Sequence, residues 1–153
     1  MRTDVKRRGW TISAEGNDLA DRFLESVFFT GNGRMGARGS PAYRPIRRPL
    51  DAGLFLAGFY DRISDSTELT DFVNLPTPIW YQIRLNGRIP AIPSHLSRAL
   101  DLRTGLLTFR YRLSIADDWV DVQEQRFFSL AKPSFLFQRL EFQGRGQVEL
   151  LAG

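Results

Sequence analysis

The sequence predicts an all-β protein folded as an antiparallel β-sandwich. Apolar and polar residues alternate through the second half of the chain, most clearly over 106–113, where every second residue is Leu, Phe or Tyr. Asn86-Gly87 is a strong hairpin-turn signal next to one of these runs. No segment keeps a 3.6-residue apolar period over three turns, so we expect no long helix.

Short apolar runs in the first half predict short elements. The alternation in Trp10–Ser13 predicts a strand, and the short segment Asn17–Glu25 could form a helical turn. Leu54–Tyr60 predicts one buried strand, in which Gly58 would allow another segment to approach closely. The glycine and proline residues between these runs predict loops.

The remaining runs follow at the spacing of an antiparallel sandwich or barrel. In order they are Phe72–Pro76, Trp80–Leu85, Leu100–Arg103, Leu106–Leu113, Trp119–Ser129, Phe135–Phe142 and Val148–Leu151. In the second of them, Tyr81, Ile83 and Leu85 share one face. We expect residues 1–153 to form a single β-sandwich domain, or a fragment of one, since the last residues look like a strand entering a turn.

The net charge of +4 comes mainly from arginine, because Lys6 and Lys132 are the only lysines among 21 basic residues. The arginines are scattered along the predicted strands and alternate with acidic residues. A nucleic-acid-binding protein concentrates its basic residues on one stripe, so we expect a solvated surface and no nucleic-acid partner.

No apolar stretch approaches the roughly 20 residues of a membrane span, and no secretory signal is visible at the N-terminus. The chain has no cysteine, which fits a reducing compartment. We therefore expect a cytoplasmic protein with no membrane partner.

Four glycines lie in the stretch Gly31–Gly39, which we call the glycine loop. It follows the strand-like apolar run Phe23–Phe29 and contains the spacing G-x-G-x-x-G, with Asp51 about 20 residues on, as in dinucleotide-binding sites. Such a site also needs a helix that begins within the motif. Gly39 and the prolines at 41, 45 and 49 exclude that helix. We therefore expect a turn-rich β-loop.

No residue set predicts catalysis. A metal site needs several ligands at defined spacing, and a triad would need the single histidine, His95, with Ser94 or Ser97. We expect His95 to be an exposed loop residue. A glycosidase pair would come from acids that we assign to the solvated surface: Glu25, Asp51, Asp61, Asp71, Asp117, Asp118 and Glu124. We expect no catalytic residue, no cofactor and no metal in this chain.

The segment Glu25–Gly39 closely resembles the opening of glycoside hydrolase family 65, which includes the maltose, trehalose and kojibiose phosphorylases and related hydrolases. The family pattern ES-x-F-x-x-GNG-x-x-G-x-RG fits at every fixed position. Other family segments match in the same order at Trp10, Leu56–Asp61, Phe72–Pro76, Ile83–Gly87, Leu100–Leu107 and Gln125–Ser129.

The resemblance implies a super-sandwich related in architecture to galactose mutarotase, of which this chain has the earlier part. In the family an (α/α)6 barrel follows, with the catalytic glutamate and the phosphate site, and this chain lacks it. The implied partners are a barrel domain of the same polypeptide, a disaccharide substrate and a second subunit, since members are commonly homodimers. Where many members have an acidic pair, this chain has Ser40–Tyr43 and then Arg44, Arg47 and Arg48, which leaves substrate and activity open.

Three functions remain as hypotheses. The first is a non-catalytic N-terminal segment of a phosphorylase or hydrolase of α-glucosidic disaccharides, whose glycine loop shapes the active-site entrance. The others are a free-standing carbohydrate-binding sandwich and a scaffold or dimer-interface module. Arg38 would either contact the substrate or act structurally, as a salt bridge or a carbonyl clamp within the loop. Trp80 and Tyr81 would either stack on a sugar ring or fill the core. The candidate contacts are Gly31, Asn32, Gly33, Arg38, Gly39, Trp80 and Tyr81.

Overall fold

The computed structural model describes residues 4–16, 22–43, 53–62, 70–75, 79–91, 93 and 95–152. Within these ranges the chain forms thirteen short or medium strands and one helix. In chain order they are β1 (Val5–Arg8), β2 (Thr11–Gly16), α1 (Arg22–Val27), β3 (Thr30–Gly31), β4 (Met35–Ala37), β5 (Leu54–Leu56), β6 (Tyr60–Arg62), β7 (Thr70–Phe72), β8 (Tyr81–Leu85), β9 (Leu96–Asp101), β10 (Leu106–Ile115), β11 (Asp118–Phe128), β12 (Leu136–Arg145) and β13 (Val148–Ala152).

Six strands form the main sheet, in the order β1-β2-β9-β10-β11-β12, with every neighbouring pair antiparallel. β10 pairs with β11 from Leu107 opposite Arg126 to Ile115 opposite Asp118. The turn between them holds Ala116 at φ +52°. Alternation of side chains across the sheet gives it one buried face and one outer face.

The buried face of the main sheet packs against β8 and the region of α1. Leu107 and Phe109 of β10 meet Ile83 of β8 and the α1-region residues Leu24 and Phe28 in one core cluster, each at most 1% exposed. Burying a side chain of this size contributes about 1.5–3 kcal/mol. β8 in turn pairs with β13, so the second layer is a small sheet and a helix.

Two further small sheets position the glycine loop. β3, β4 and β5 form a three-stranded sheet, and β6 pairs with β7. A second, smaller core of Ala37, Leu54 and Phe128 joins the three-stranded sheet to β11.

The predicted antiparallel all-β fold is confirmed, as is the shared buried face of Tyr81, Ile83 and Leu85. The turn at Asn86-Gly87 is also confirmed: both residues have positive φ, +52° and +73°. Leu85 and Arg88 exchange backbone hydrogen bonds of 2.8 and 3.1 Å across it.

Two local predictions are wrong. The strand-like run at 23–29 is mostly helix, because Leu24 and Phe28 lie four residues apart and point into the core together. Leu54–Tyr60 is not one strand but two, β5 and β6, separated by a turn. Gly58 sits in that turn at φ +80° with open space where a Cβ would lie, so it supplies backbone conformation and no close approach.

Several residues named above lie outside the described residues: Arg44, Pro45, Arg47, Arg48, Pro49, Asp51, Pro76 and Ser94. His95 is exposed, as predicted. Among the described residues, no helix has the length and apolar character needed to cross a membrane.

Candidate functional site

The glycine loop contains the tight turn between β3 and β4, then β4 itself, and ends at Gly39. Gly33 lies at its tip with φ +83°, a conformation that favours glycine. Asn32 closes the turn, because its side-chain Oδ1 accepts hydrogen bonds from the backbone N–H groups of Arg34 (3.1 Å) and Met35 (3.0 Å). A strand, β4, occupies the position where a dinucleotide site would begin its helix.

The same asparagine ties the loop to the main sheet. Its Nδ2 donates hydrogen bonds to the carbonyl oxygens of Ser129 (2.8 Å) and Pro133 (3.0 Å), which lie between β11 and β12. One side chain therefore satisfies four backbone groups on two segments almost 100 residues apart in sequence. This arrangement fixes the tip of the loop.

We expect Asn32→Ala to lower the free energy of unfolding by about 2 kcal/mol. Four hydrogen bonds are lost, and each has a net contribution to stability of roughly 0.5–1.5 kcal/mol. Water can replace part of them in the variant. Urea unfolding measures the loss, and hydrogen exchange at residues 31–36 should accelerate. Arg34→Ala is the control: its side chain is exposed, and we expect a change within about 0.5 kcal/mol. Equal effects of the two substitutions would contradict the anchoring role.

The C-terminal end of the loop is fixed by backbone contacts. The N–H of Gly39 donates to the carbonyl of Glu25 at 2.8 Å, and a Cβ on Gly39 would lie 2.3 Å from the Cβ of Phe28. The carbonyl of Arg38 accepts a hydrogen bond of 2.7 Å from Nη2 of Arg126 on β11. Only glycine allows the chain to run this close to the end of α1.

Beneath the loop lies a group of side chains that we call the buried polar cluster: Glu124, Arg126, Tyr81, Tyr111 and Gln138. Glu124 is fully buried and accepts four hydrogen bonds. They come from the N–H of Ala42 (2.9 Å), the hydroxyl of Tyr81 (3.1 Å), Nε2 of Gln138 (3.3 Å) and Nη1 of Arg126 (3.4 Å). Arg126 also stacks 5.0 Å from the ring centroid of Phe109.

The tyrosines of the cluster act as protonated donors. The hydroxyls of Tyr81 and Tyr111 hydrogen-bond to each other, and the ring of Tyr43 lies about 6 Å from both. Burial raises the pKa of Tyr43 to about 12 and raises the pKa of Tyr81 and Tyr111 well above the ordinary range. All three are at most 5% exposed. The cluster links β8, the loop and the main sheet through the hydrogen bonds of Tyr81 with Tyr111 and Glu124 and of Arg126 with the Arg38 carbonyl.

The pKa of Glu124 is raised by burial, an effect that Arg126 and the hydrogen-bond donors only partly oppose. The folded state therefore binds this proton more tightly than the unfolded state. The resulting stabilisation is fully present below the unfolded pKa of about 4.3 and is lost as the pH rises through the folded pKa.

Relative to Glu124→Gln, which cannot titrate, we expect the unfolding free energy of the wild type to fall as the pH rises above about 4.3. Urea titrations of both proteins from acidic to neutral pH measure this difference, and all other carboxyl groups cancel in the comparison. A difference that is constant, or that increases with pH, would show that the pKa is not raised.

Next to the glycine loop lies an exposed aromatic patch, formed by Phe29, Phe55, Tyr60 and Phe72. The ring centroids of Phe29 and Phe55 are 6.2 Å apart, those of Phe55 and Phe72 are 6.1 Å apart, and those of Phe72 and Tyr60 are 5.0 Å apart. Phe29, Tyr60 and Phe72 are 45%, 53% and 55% exposed. The guanidinium of Arg38 lies 5.9 Å from the centroid of Phe55. Clustered exposed apolar rings of this kind typically mark a contact with another domain, protein or ligand.

The predicted contact residues fall into two groups. Gly31, Asn32, Gly33, Arg38 and Gly39 lie together on the loop. Tyr81, however, is 1% exposed and belongs to the core, which confirms the alternative of a core aromatic for this residue. Trp80 is half-buried. Arg38 makes an ion pair of 3.8 Å with Glu25 while its side chain stays 40% exposed, so the predicted structural salt bridge is present.

Sequence reasoning missed the buried charges. Glu25 and Glu124 were assigned to a solvated surface, and that is wrong: they are 4% and 0% exposed. Arg98 and Arg126, each 1% exposed, likewise do not belong to the solvated surface expected for the arginines. A signal was available, because Glu124 and Arg126 continue the inward phase of Val120, Val122 and Phe128, and Arg98 stands between Leu96 and Leu100.

Comparison with known proteins decides the family. The sequence profile of "Glycosyl hydrolase family 65, N-terminal domain" matches residues 14–151. The chain belongs to this family. This confirms the resemblance read from Glu25–Gly39, and the match covers both the loop and the main sheet.

The chain is also similar to two known proteins. The chain is 26% identical over 123 residues to trehalose 6-phosphate phosphorylase of Lactococcus lactis subsp. lactis (strain IL1403), covering 73% of this chain and 16% of the relative. It shares its fold with the solved structure of a candidate kojibiose phosphorylase from the human microbiome. The TM-score is 0.79 at 16% identity, over 95% of this chain and 21% of that one. The chain thus spans a minor part of each relative.

Proposed function

We propose that this chain is the non-catalytic N-terminal part of a larger phosphorylase or hydrolase of α-glucosidic disaccharides. In this proposal a barrel domain of the same polypeptide carries the catalytic residues. The glycine loop and the aromatic patch pack against that domain and shape the entrance to its active site. The observation that carries the proposal is the aromatic patch beside the loop, because three of its four rings, Phe29, Tyr60 and Phe72, are left about half exposed.

The rigidity of the loop supports this role. Asn32 fixes its tip to the β11–β12 connection, and Gly39 and the carbonyl of Arg38 fix its end to α1 and β11. A wall of a binding site keeps its geometry best when its own backbone is held by packing and hydrogen bonds. The buried polar cluster supplies that support from below.

Arg38 is the polar group best placed to act at such an entrance. Its ion pair with Glu25 is long, at 3.8 Å, and 40% of its side chain is exposed. A guanidinium carries five N–H donors, so it can keep this pair and still donate to a carboxylate or carbonyl of the barrel domain, or to a sugar hydroxyl. The neighbouring ring of Phe55 holds it in position.

The test uses the complete encoded polypeptide and the substitution Phe72→Ser. We expect kcat/KM for the cleaved disaccharide to fall about tenfold or more, equivalent to at least ~1.4 kcal/mol of lost transition-state stabilisation. Maltose, trehalose and kojibiose are each assayed with and without phosphate, which separates phosphorolysis from hydrolysis. Trp10→Ser is the matched control, since Trp10 is 60% exposed on the turn between β1 and β2, at the opposite edge of the main sheet from β11 and β12.

Unchanged kcat/KM in both Phe72→Ser and Arg38→Ala would contradict the proposal. A change of oligomeric state in Phe72→Ser, measured by analytical ultracentrifugation, would instead assign the patch to a dimer interface. Because Phe72 is largely exposed in this domain, we expect its replacement to alter the melting temperature of the domain very little.

A further inference from the structure

The outer face of the main sheet carries a depression of about 610 Å³, within the range of about 300–1,000 Å³ that is usual for ligand sites. Two rows of side chains line it. The first row crosses β9 to β12 with its members directly opposite one another: Ser97, Arg110, Gln123 and Glu141. The second row consists of His95, Arg112, Asp121 and Gln143. The rows are two residues apart along each strand, so the depression is about 7 Å wide and about 14 Å long.

The depression carries one positive charge that no acid balances. Arg112 forms a bidentate pair with Asp121, at 2.6 and 2.7 Å, and this hydrogen bonding lowers the pKa of the Asp121 carboxyl. Arg139 pairs with Glu141. Arg110 is exposed and forms no ion pair within the part of the chain that the structure describes. The electrostatics therefore favour an anion beside Arg110.

The guanidinium of Arg110 is held in a position to bind such an anion. Its Nε donates to Oε1 of Gln123 at 2.7 Å, and Nε2 of Gln123 donates in turn to Oε2 of Glu141 at 2.8 Å. This chain of hydrogen bonds uses only the Nε of the guanidinium. The Nη1 and Nη2 groups remain, and two neighbouring guanidinium nitrogens match the two oxygens of a carboxylate.

Further donors lie on the same side of the depression. Ser97 stands opposite Arg110 in the strand register, and His95 directly precedes β9. Neither side chain has a hydrogen-bond partner among the described residues. A hydroxyl supplies one donor and an imidazole at least one. The β9–β10 side of the depression therefore offers donors to an anion from three side chains.

The acids of the depression restrict the charge of the anion. Asp121 and Glu141 lie on the β11–β12 side, and their charges are balanced by Arg112 and Arg139. A ligand with one negative charge balances Arg110. A second negative charge would face these two carboxylates without a cation of its own. The site therefore suits a carboxylate better than a phosphate dianion.

We propose that the depression binds a small organic monocarboxylate, whose carboxylate group lies on the Nη groups of Arg110 beside Ser97 and His95. The body of the ligand extends over β11 towards β12, where Gln143 and Phe142 line the depression. The volume exceeds that of a carboxylate group alone, so the site has room for this body. The site is separate from the active-site entrance proposed above and does not depend on it.

The test is calorimetry of the complete encoded polypeptide with three ligands that share one aromatic body and differ in charge: benzamide, benzoate and phenyl phosphate. The buffer contains no carboxylate or phosphate and is held at about pH 8, where the phosphate is doubly charged. We expect saturable binding of benzoate, at least about tenfold tighter than that of either other ligand. Benzoate binding should weaken as sodium chloride is added.

Arg110→Ala is expected to raise the dissociation constant for benzoate about tenfold or more, the effect of losing hydrogen bonds to a charged group. Arg110→Lys should lie between this variant and the wild type, because lysine keeps the charge and loses the planar fork. Arg103→Ala is the matched control. It removes the same charge from an exposed arginine between β9 and β10 that does not line the depression, and it should leave benzoate binding unchanged.

Four results would overturn the proposal. Benzoate binding that is absent, or equal in wild type and Arg110→Ala, would remove the site. Benzamide binding as tight as benzoate binding would remove the role of charge, and tighter binding of phenyl phosphate would remove the preference for a single charge. A change of oligomeric state in Arg110→Ala would make the face a contact between protein chains. Unchanged kcat/KM in Phe72→Ser with intact benzoate binding would remove the entrance role alone, so the two proposals fail separately.

Discussion

Glu124→Ala is expected to lower the free energy of unfolding by about 3–5 kcal/mol, the usual cost of breaking a buried ion pair by removing one partner. The substitution removes the carboxylate that pairs with the buried Arg126 and that accepts hydrogen bonds from the Ala42 N–H and the Tyr81 hydroxyl. Stability of a whole domain is typically about 5–15 kcal/mol. Guanidinium unfolding at neutral pH measures the loss.

Glu15→Ala is the matched control for this prediction, because it removes an exposed glutamate from β2. We expect it to change stability by no more than about 0.5 kcal/mol. Glu124→Gln should fall between the two, since an amide keeps acceptor capacity but loses the charge that faces Arg126. Equal stability of Glu124→Ala and Glu15→Ala would mean that the cluster does not support the join between the layers.

Gly39→Ala is expected to cost about 3 kcal/mol, at the upper end of the usual overpacking effects. The added Cβ would lie 2.3 Å from the Cβ of Phe28 and 2.7 Å from its backbone carbon and oxygen. None of these atoms belongs to the flexible end of a side chain. The loop must therefore move away from α1, which breaks the hydrogen bond from Gly39 to Glu25 and strains the contact with Arg126.

Thermal unfolding measures this loss, and hydrogen exchange at Gly39 reports whether its hydrogen bond is broken. Gly33→Asn is the control in the same loop. Gly33 has positive φ but open space around it, and asparagine tolerates the left-handed conformation better than other residues. We expect a cost below about 1 kcal/mol. A larger loss in Gly33→Asn than in Gly39→Ala would contradict the close-approach account.

The long strands of the second half could be predicted because their pattern and their environment agree. β10 and β11 each have one face buried along most of their length. The alternation of apolar and polar residues in their sequences therefore predicts both strands directly. Several strands of the first half have only two or three residues. Runs this short carry too little periodicity to distinguish a turn of helix from a strand, and the run at 23–29 was misassigned for that reason.

The buried polar cluster could be predicted only in part. The inward phase of Glu124 and Arg126 follows from the sequence, but their partners do not. The Ala42 N–H and the Arg38 carbonyl reach them because the glycine loop folds over β11 from more than 80 residues away in the chain. Every residue has a backbone carbonyl and almost every residue a backbone N–H, so the sequence does not show which of them will bind a buried side chain. The tertiary structure is needed to identify these partners. The family pattern located the loop but not its supports.

Hydroxyl-radical footprinting of the complete encoded polypeptide tests the central claim, that the aromatic patch docks on another domain. Phe72 and Phe135 are the same residue type and are 55% and 53% exposed in this domain, so without a docked domain they should be oxidised at similar rates. We predict that Phe72 is several-fold protected relative to Phe135, measured without added sugar and at a concentration where the protein is monomeric. Equal oxidation of the two phenylalanines would contradict the account.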